Sequence, residues 1–148
     1  MLFTIGYEGA TQGAVLDALR RNKIALLVDV RAVAASRKPG FSKRQFAAAL
    51  DEHGIAYLHL QKLGTPAEGR QAARAGDADT MLRIYEKHLK THDAREAMDE
   101  LVALAASGRR ICLLCFERDV NHCHRRRIAE IVHQRTGVSV RNLEPGPP

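Results

Sequence analysis

The sequence predicts an α/β fold: a single-domain three-layer sandwich whose mostly parallel five-stranded sheet carries helices on both faces. Three observations predict it. Apolar runs of four to six residues alternate with longer amphipathic stretches along the chain. Two of these runs, Ala25–Val30 and Ile111–Cys115, are close to continuously apolar, as parallel strands covered on both faces must be. The length, 148 residues, suits one hydrophobic core. Right-handed crossovers then suggest the strand order 3-2-1-4-5, with ligands bound beyond the strand carboxyl ends where strands one and four meet.

The elements follow in order. Leu2–Ile5 is the first strand, and Gly6-Tyr7-Glu8-Gly9 its exit turn. Thr11 is placed to cap the first helix, whose inward stripe is Val15, Leu16 and Leu19 and which closes on Arg20, Arg21 and Asn22. Ala25–Val30 is the second strand, broken only by Asp29. Arg31–Gly40 reads as a loop, and Ser42 as the cap of a second helix with Phe46, Ala47 and Leu50 inward and Gly54 as its stop. Ile55–Leu60 is the third strand. Residues 61–77 hold four residues of the Gly/Pro type with no period, which suggests a long loop, either a candidate lid or a merely disordered insertion. A helix over Asp79–Lys90 follows, then another after Asp93, where Asp93 and Glu96 have capping-box spacing; Gly108 ends it. The fourth strand is Ile111–Cys115. The last helix is expected over His122–Thr136, capped by Asn121 and stopped by Gly137, and Val138–Leu143 is the fifth strand. Residues 1–143 thus form the domain, and 144–148 read as a flexible Pro/Gly tail.

Composition narrows the function classes. No apolar stretch approaches the ~20 residues that span a bilayer, and Met-Leu-Phe-Thr-Ile lacks the basic leader and apolar core of a signal peptide, so a cytoplasmic location without membrane association is expected. The three cysteines are odd in number and clustered, which argues against a disulfide framework and for reduced thiols. Cys112 and Cys115 share CxxC spacing, but an odd separation in a strand sends their side chains to opposite faces, and Cys112 reads as core packing. The net charge of +6 suits an anionic small molecule or nucleic acid. Few aromatics (no Trp, three Tyr, four Phe) argue against stacking platforms for single strands.

Most of the chemistry lies in residues 111–128, which set Cys115, Glu117, Cys123, His124 and Arg125 around one strand-to-helix turn. Arg125 heads the stripe Arg125, Ile128, Ala129, Val132, and so points toward the sheet edge; Arg126 points outward, and Arg127 can pair with Glu130. Arginines at a helix start oppose the macrodipole, and a bound anion relieves this; the competing account makes Arg125 structural, balanced by Glu117 or Glu8. Cys123 near a helix start and Cys115 at a strand exit are candidate nucleophiles, with inert packing as the bland alternative. The cysteine-phosphatase spacing Cys-x5-Arg is absent from both. The spacing of Cys115, Cys123 and the histidines fits no zinc pattern, so no metal and no cofactor is assigned.

Elsewhere, Asp29 and Arg31 read as a structural ion pair or a site acid with its partner. Arg37, Lys38, Lys43 and Arg44 form a basic cluster, either a solvated face or a phosphate contact. The candidate catalytic residues are Cys115, Glu117 and Cys123. The candidate binding residues are Gly6, Tyr7, Glu8, Asp29, Arg31, Ser36, Arg37, His124 and Arg125. Two functions fit: an enzyme acting on an anionic substrate, with Glu117 or Asp29 as acid/base, or a nucleic-acid-binding module in which loop 37–44 and Arg125–Arg127 hold phosphates and the cysteines only pack.

Several blocks resemble a known family. Gly6-Tyr7-Glu8-Gly9, Val28-Asp29-Val30-Arg31, Ser36-Arg37-Lys38-Pro39-Gly40-Phe41-Ser42-Lys43, Leu63-Gly64, and Leu114-Cys115-Phe116-Glu117 with Cys123-His124-Arg125 look like domain-of-unknown-function family 488, in order over nearly the whole chain. The last block is the most specific. Thr65 stands where some members have a second Gly. The resemblance implies the α/β fold and the grouping of these motifs, and no reaction. A looser similarity to rhodanese-like domains rests on the Asp-x-Arg strand end and the cysteine at a strand exit; the loop lengths differ.

Overall fold

A computed structural model describes residues 1–146. Five strands, β1 (Leu2–Gly6), β2 (Leu26–Asp29), β3 (Ala56–His59), β4 (Ile111–Cys115) and β5 (Val140–Leu143), form one sheet in which every pairing is parallel. Six helices accompany them: α1 (Gln12–Arg21), α2 (Lys43–Glu52), α3 (Ala67–Arg74), α4 (Ala78–Leu89), α5 (His92–Ala106) and α6 (Arg125–Thr136). Each strand residue shows one face, so the sheet divides the interior in two. Phe3, Ile5, Leu27, Cys112 and Leu114 pack with Val15, Leu19, Phe46 and Leu50 of α1 and α2. Leu2, Val28, Ile111, Leu113 and Cys115 pack with Met81, Tyr85, Leu101, Ile128 and Val132 of α4, α5 and α6. This is the expected sandwich, and Cys112 and Cys115 do face opposite ways.

The strand order is β3-β2-β4-β1-β5 rather than 3-2-1-4-5. The β1-to-β2 crossover leaves a gap that β4 later fills. Consecutive strands are neighbours only roughly two-thirds of the time, and β4, five buried residues long, takes the centre. The pairing that matters for a site survives: β1 runs beside β4, with Gly6 in register with Cys115.

Local chemistry explains most boundaries. Thr11 Oγ1 accepts the Ala14 N–H at 3.1 Å and starts α1. Ser42 precedes α2 but makes no cap bond; its hydroxyl instead donates to the Ser36 carbonyl and accepts the Ser36 N–H, pinning the basic loop. Thr91, not Asp93, caps α5. The expected loop over 61–77 contains a 3-10 turn (Gln61–Leu63) and α3. The inner side of α3 is built from Gly69, Ala72 and Ala73, too small to give a visible apolar period. α6 begins at Arg125 rather than His122. A 3-10 turn, Val120–His122, comes first, and Asp119 caps that turn by accepting the Asn121 N–H at 2.9 Å, so Asn121 does not cap and Cys123 and His124 precede the helix.

Among the described residues no helix is long and apolar enough to cross a membrane. Of the expected tail, Glu144 and Pro145 are held by the Arg118 guanidinium at 3.1 and 2.7 Å, while residues 147 and 148 lie outside the described part.

Candidate functional site

The polar residues collect beyond the carboxyl ends of β1, β2 and β4. There the Gly6–Gly9 turn and the loop after β4 run together. The Tyr7 N–H donates to the Cys115 carbonyl at 3.3 Å and the Glu8 N–H to the Phe116 carbonyl at 2.8 Å. Glu8 Oε1 in return accepts the Arg118 N–H at 3.1 Å. Gly6 permits this approach, because a Cβ there would stand 1.8 Å from the Glu117 carbonyl oxygen.

Asp29 and Arg31 form a buried ion pair at 2.7 Å. Arg31 Nε donates to both Asp29 oxygens, and Nη1 to the Phe41 carbonyl at 2.7 Å and the Tyr7 hydroxyl at 3.2 Å. Tyr57 donates its hydroxyl to Asp29 Oδ2 at 2.5 Å, and burial together with that bond raises the phenol pKa. Burial pulls the Arg31 pKa down, but the Asp29 carboxylate outweighs it and holds the guanidinium more firmly charged. With the carboxylate taken up by Arg31 and Tyr57, Asp29 anchors the end of β2.

Arg125 is 1% exposed, on the buried stripe with Ile128, Ala129 and Val132. Its Nε donates to Thr4 Oγ1 at 3.2 Å, Nη1 to Cys115 Sγ at 3.0 Å and to the Glu117 carbonyl, and Nη2 to the Arg118 carbonyl at 3.1 Å. The guanidinium therefore ties the loop after β4 to the sheet, and it does not line the cavity described below. Burial lowers its pKa, and Glu117 opposes that.

The cysteines correct an expectation. Cys115 and Cys123 are joined by a disulfide, and only Cys112, fully buried with its thiol pKa raised by that burial, is free. Reduced thiols were expected because the three cysteines are odd in number and clustered; two of them pair all the same and leave the third free. The 3-10 turn between Cys115 and Cys123 folds the chain back and brings the sulfurs together. Around the pair, Glu117 Oε2 lies 3.5 Å from Cys115 Sγ, and burial raises the Glu117 pKa. The Arg125 backbone N–H points at Cys123 Sγ from 3.4 Å. His124 donates from Nε2 to the Val30 carbonyl at 2.7 Å, which fixes the tautomer and leaves the Nδ1 lone pair toward Cys123 Sγ, 3.7 Å away. Burial lowers the His124 pKa to about 4, so the ring is neutral. Sulfur and carboxylate atoms of Cys115, Cys123 and Glu117 lie within 4.8 Å of one another, a donor set suited to a soft metal ion. The disulfide removes the two thiolates such an ion needs, and the Arg125 cation sits against one of the sulfurs.

A cavity of about 670 Å³ opens over this cluster. Cys115, Glu117 and His124 form part of its wall, with Tyr7, Glu8, Arg31, Ser36 and Arg37 from the sequence-expected set. Gly6, Asp29, Cys123 and Arg125 do not line it. Exposed Phe116 stands at the rim, edge-on to Tyr7, which stacks on Phe41. Sequence reasoning missed Arg70, Arg74 and His122, which also line the cavity. Arg70 and Arg74 stand four apart, one face of a helix, a signal that appears only once the segment is seen as helical. Among the described residues Arg37, Arg70 and Arg74 make no ion pair; Arg70 donates to the Thr65 carbonyl at 2.8 Å.

A family model described as Domain of unknown function DUF488 matches residues 11–132. The match takes in Asp29, Arg31 and the whole of the Cys115–Arg125 loop, and begins after the Gly6–Gly9 turn. No curated protein and no solved structure matches the chain.

Proposed function

We propose, for a chain that belongs to the family described as Domain of unknown function DUF488, that it is a cytoplasmic thiol enzyme whose substrate is a small anionic molecule held in the cavity over Cys115. The observation that carries this reading is the position of Cys115: the residue lines the cavity and its Sγ lies 3.0 Å from a buried guanidinium, while three further arginines, without carboxylate partners among the described residues, line the same cavity. A cation beside a thiol favours the thiolate, which is the nucleophile. Arg37, Arg70 and Arg74 supply the field that draws an anion in. Glu117, with its pKa raised by burial, is the acid nearest the sulfur. Arg125 acts on the sulfur, and the anion is left to the cavity arginines.

The test is alkylation of the reduced protein, resolved by cysteine with mass spectrometry. Cys115 is expected to react with a midpoint well below the ~8.5 of a free thiol. Negatively charged iodoacetate should gain on neutral iodoacetamide by roughly tenfold relative to glutathione, through the cavity field. Changing Arg37 and Arg74 together to Ala should remove that preference. Ordinary thiols with no preference for the charged reagent would sink the reading. Steeply salt-dependent oligonucleotide binding, lost on Lys43→Ala with Arg44→Ala, would replace it with the nucleic-acid module.

A further inference from the structure

We propose that Cys115 and Cys123 are a working dithiol–disulfide couple that reduces small anionic disulfides, with Cys115 as the exchanging sulfur and Cys123 as the resolving one. This rests on the reading above and names its substrate class.

Three observations carry it. The two sulfurs are paired, so the resolving sulfur already stands beside the exchanging one. Their surroundings are unequal: both residues are buried, but Cys115 lines the cavity and Cys123 does not. The exchanging role therefore falls to Cys115, the residue on the cavity side. Each sulfur also has its own device for holding negative charge. Arg125 Nη1 faces Cys115 at 3.0 Å, and the Arg125 backbone N–H faces Cys123 at 3.4 Å. The His124 tautomer is fixed by Val30, so its Nδ1, 3.7 Å from Cys123 Sγ, faces that sulfur as an acceptor.

The chemistry balances within the named reactants. The Cys115 thiolate attacks one sulfur of R–S–S–R; the substrate S–S bond breaks, and the first R–S⁻ leaves and takes up a proton. Cys123 then attacks Cys115 Sγ of the mixed disulfide and expels the second R–S⁻, which takes up the other thiol proton. The protein loses two electrons and the substrate gains two, giving the disulfide and two R–SH. An excess of small thiol runs the steps backward and restores the dithiol.

The experiment mixes reduced protein with oxidised glutathione, an anionic disulfide, or with neutral hydroxyethyl disulfide, quenches in acid and reads intact mass. Wild type should lose the mass of two hydrogens and carry no adduct. Cys123→Ser, with Cys123→Ala as a second variant, should trap one glutathionyl group on Cys115, and Cys115→Ser should trap none. Oxidised glutathione should react roughly tenfold faster than the neutral disulfide. An adduct that persists equally on wild type and Cys123→Ser would overturn the couple while leaving Cys115 a nucleophile. No adduct on a Cys115 that still alkylates at low pH would overturn the substrate class alone. A Cys115 that neither exchanges nor alkylates readily would end both readings. One equivalent of zinc in the purified protein, released on thiol alkylation, would also overturn the couple.

Discussion

The imidazole of His124 donates its Nε2 proton to the carbonyl oxygen of Val30, 2.7 Å away at the exit of β2. That bond joins the loop before α6 to the neighbouring strand, and it fixes where the ring's proton sits. Burial lowers the pKa to about 4 from an ordinary 6.5. Between those values the unfolded chain binds a proton that the folded chain refuses. Stability is therefore full above about pH 6.5 and declines toward pH 4 by about 1.4 kcal/mol per unit. Urea unfolding should show a loss of about 2 kcal/mol between pH 7 and pH 5 from this group. Glu117, whose pKa burial raises, works in the opposite sense, adding stability at low pH that is lost as pH rises. His124→Gln, which can keep a donor near Val30, should flatten the acid slope. An unchanged slope would assign it to other groups.

Arg125→Ala should cost about 3–5 kcal/mol, because it empties a buried site and strips donors from the Glu117 and Arg118 carbonyls and from Thr4. Arg125→Lys keeps the charge but cannot reach all of these partners at once, so it should restore under half of the loss. A cost for Arg125→Ala below about 1 kcal/mol would show that the guanidinium is not a strut.

The stripe Arg125, Ile128, Ala129, Val132 was legible in the sequence because helical spacing places a residue by angle alone, whatever the strand order. The meeting of Gly6–Gly9 with Cys115–Glu117 was legible for a related reason: both turns end strands that are neighbours in either order. What was hidden depends on contacts between distant segments. The place of β4 between β1 and β2 depends on which open slot a buried strand fills, and strands buried on both faces look alike in sequence. α3 was hidden because Gly69, Ala72 and Ala73 pack without bulky side chains, and with it went Arg70 and Arg74. The Cys115–Cys123 pairing was hidden because Asn121 looks like a helix cap. Asp119 is the one that accepts the N–H, and the extra 3-10 turn carries Cys123 back to the strand end.

Gly6→Ala should damage the site and the fold together. The added Cβ would stand 1.8 Å from the Glu117 carbonyl oxygen and 2.9 Å from Arg118 Cα, both backbone atoms. The loop must move away, which breaks the Glu8 N–H bond to Phe116. A loss of about 1–3 kcal/mol is expected from overpacking, with a change in the Cys115 alkylation rate even where the protein stays folded. Gly54→Ala is the control: its Cβ meets nothing within 4 Å, so it carries the cost of a positive φ without a clash. If Gly6→Ala proved no worse than this control, the close approach would not matter.

Asp29, Arg31 and Tyr57 should behave as one unit. Asp29→Asn removes the carboxylate charge paired with the buried Arg31 guanidinium, at an expected cost of about 3–5 kcal/mol. Tyr57→Phe removes one hydrogen bond to the same carboxylate, about 1–2 kcal/mol. The two should not add. Once Asp29 is neutral, the tyrosine hydroxyl has a weaker acceptor, so the double variant should fall short of the sum by about 0.5–1 kcal/mol or more. Urea unfolding of the four proteins at neutral pH measures that coupling. Strict additivity would mean that Tyr57 and Arg31 hold Asp29 independently, and that the end of β2 is anchored by two separate bonds and not by a shared charge.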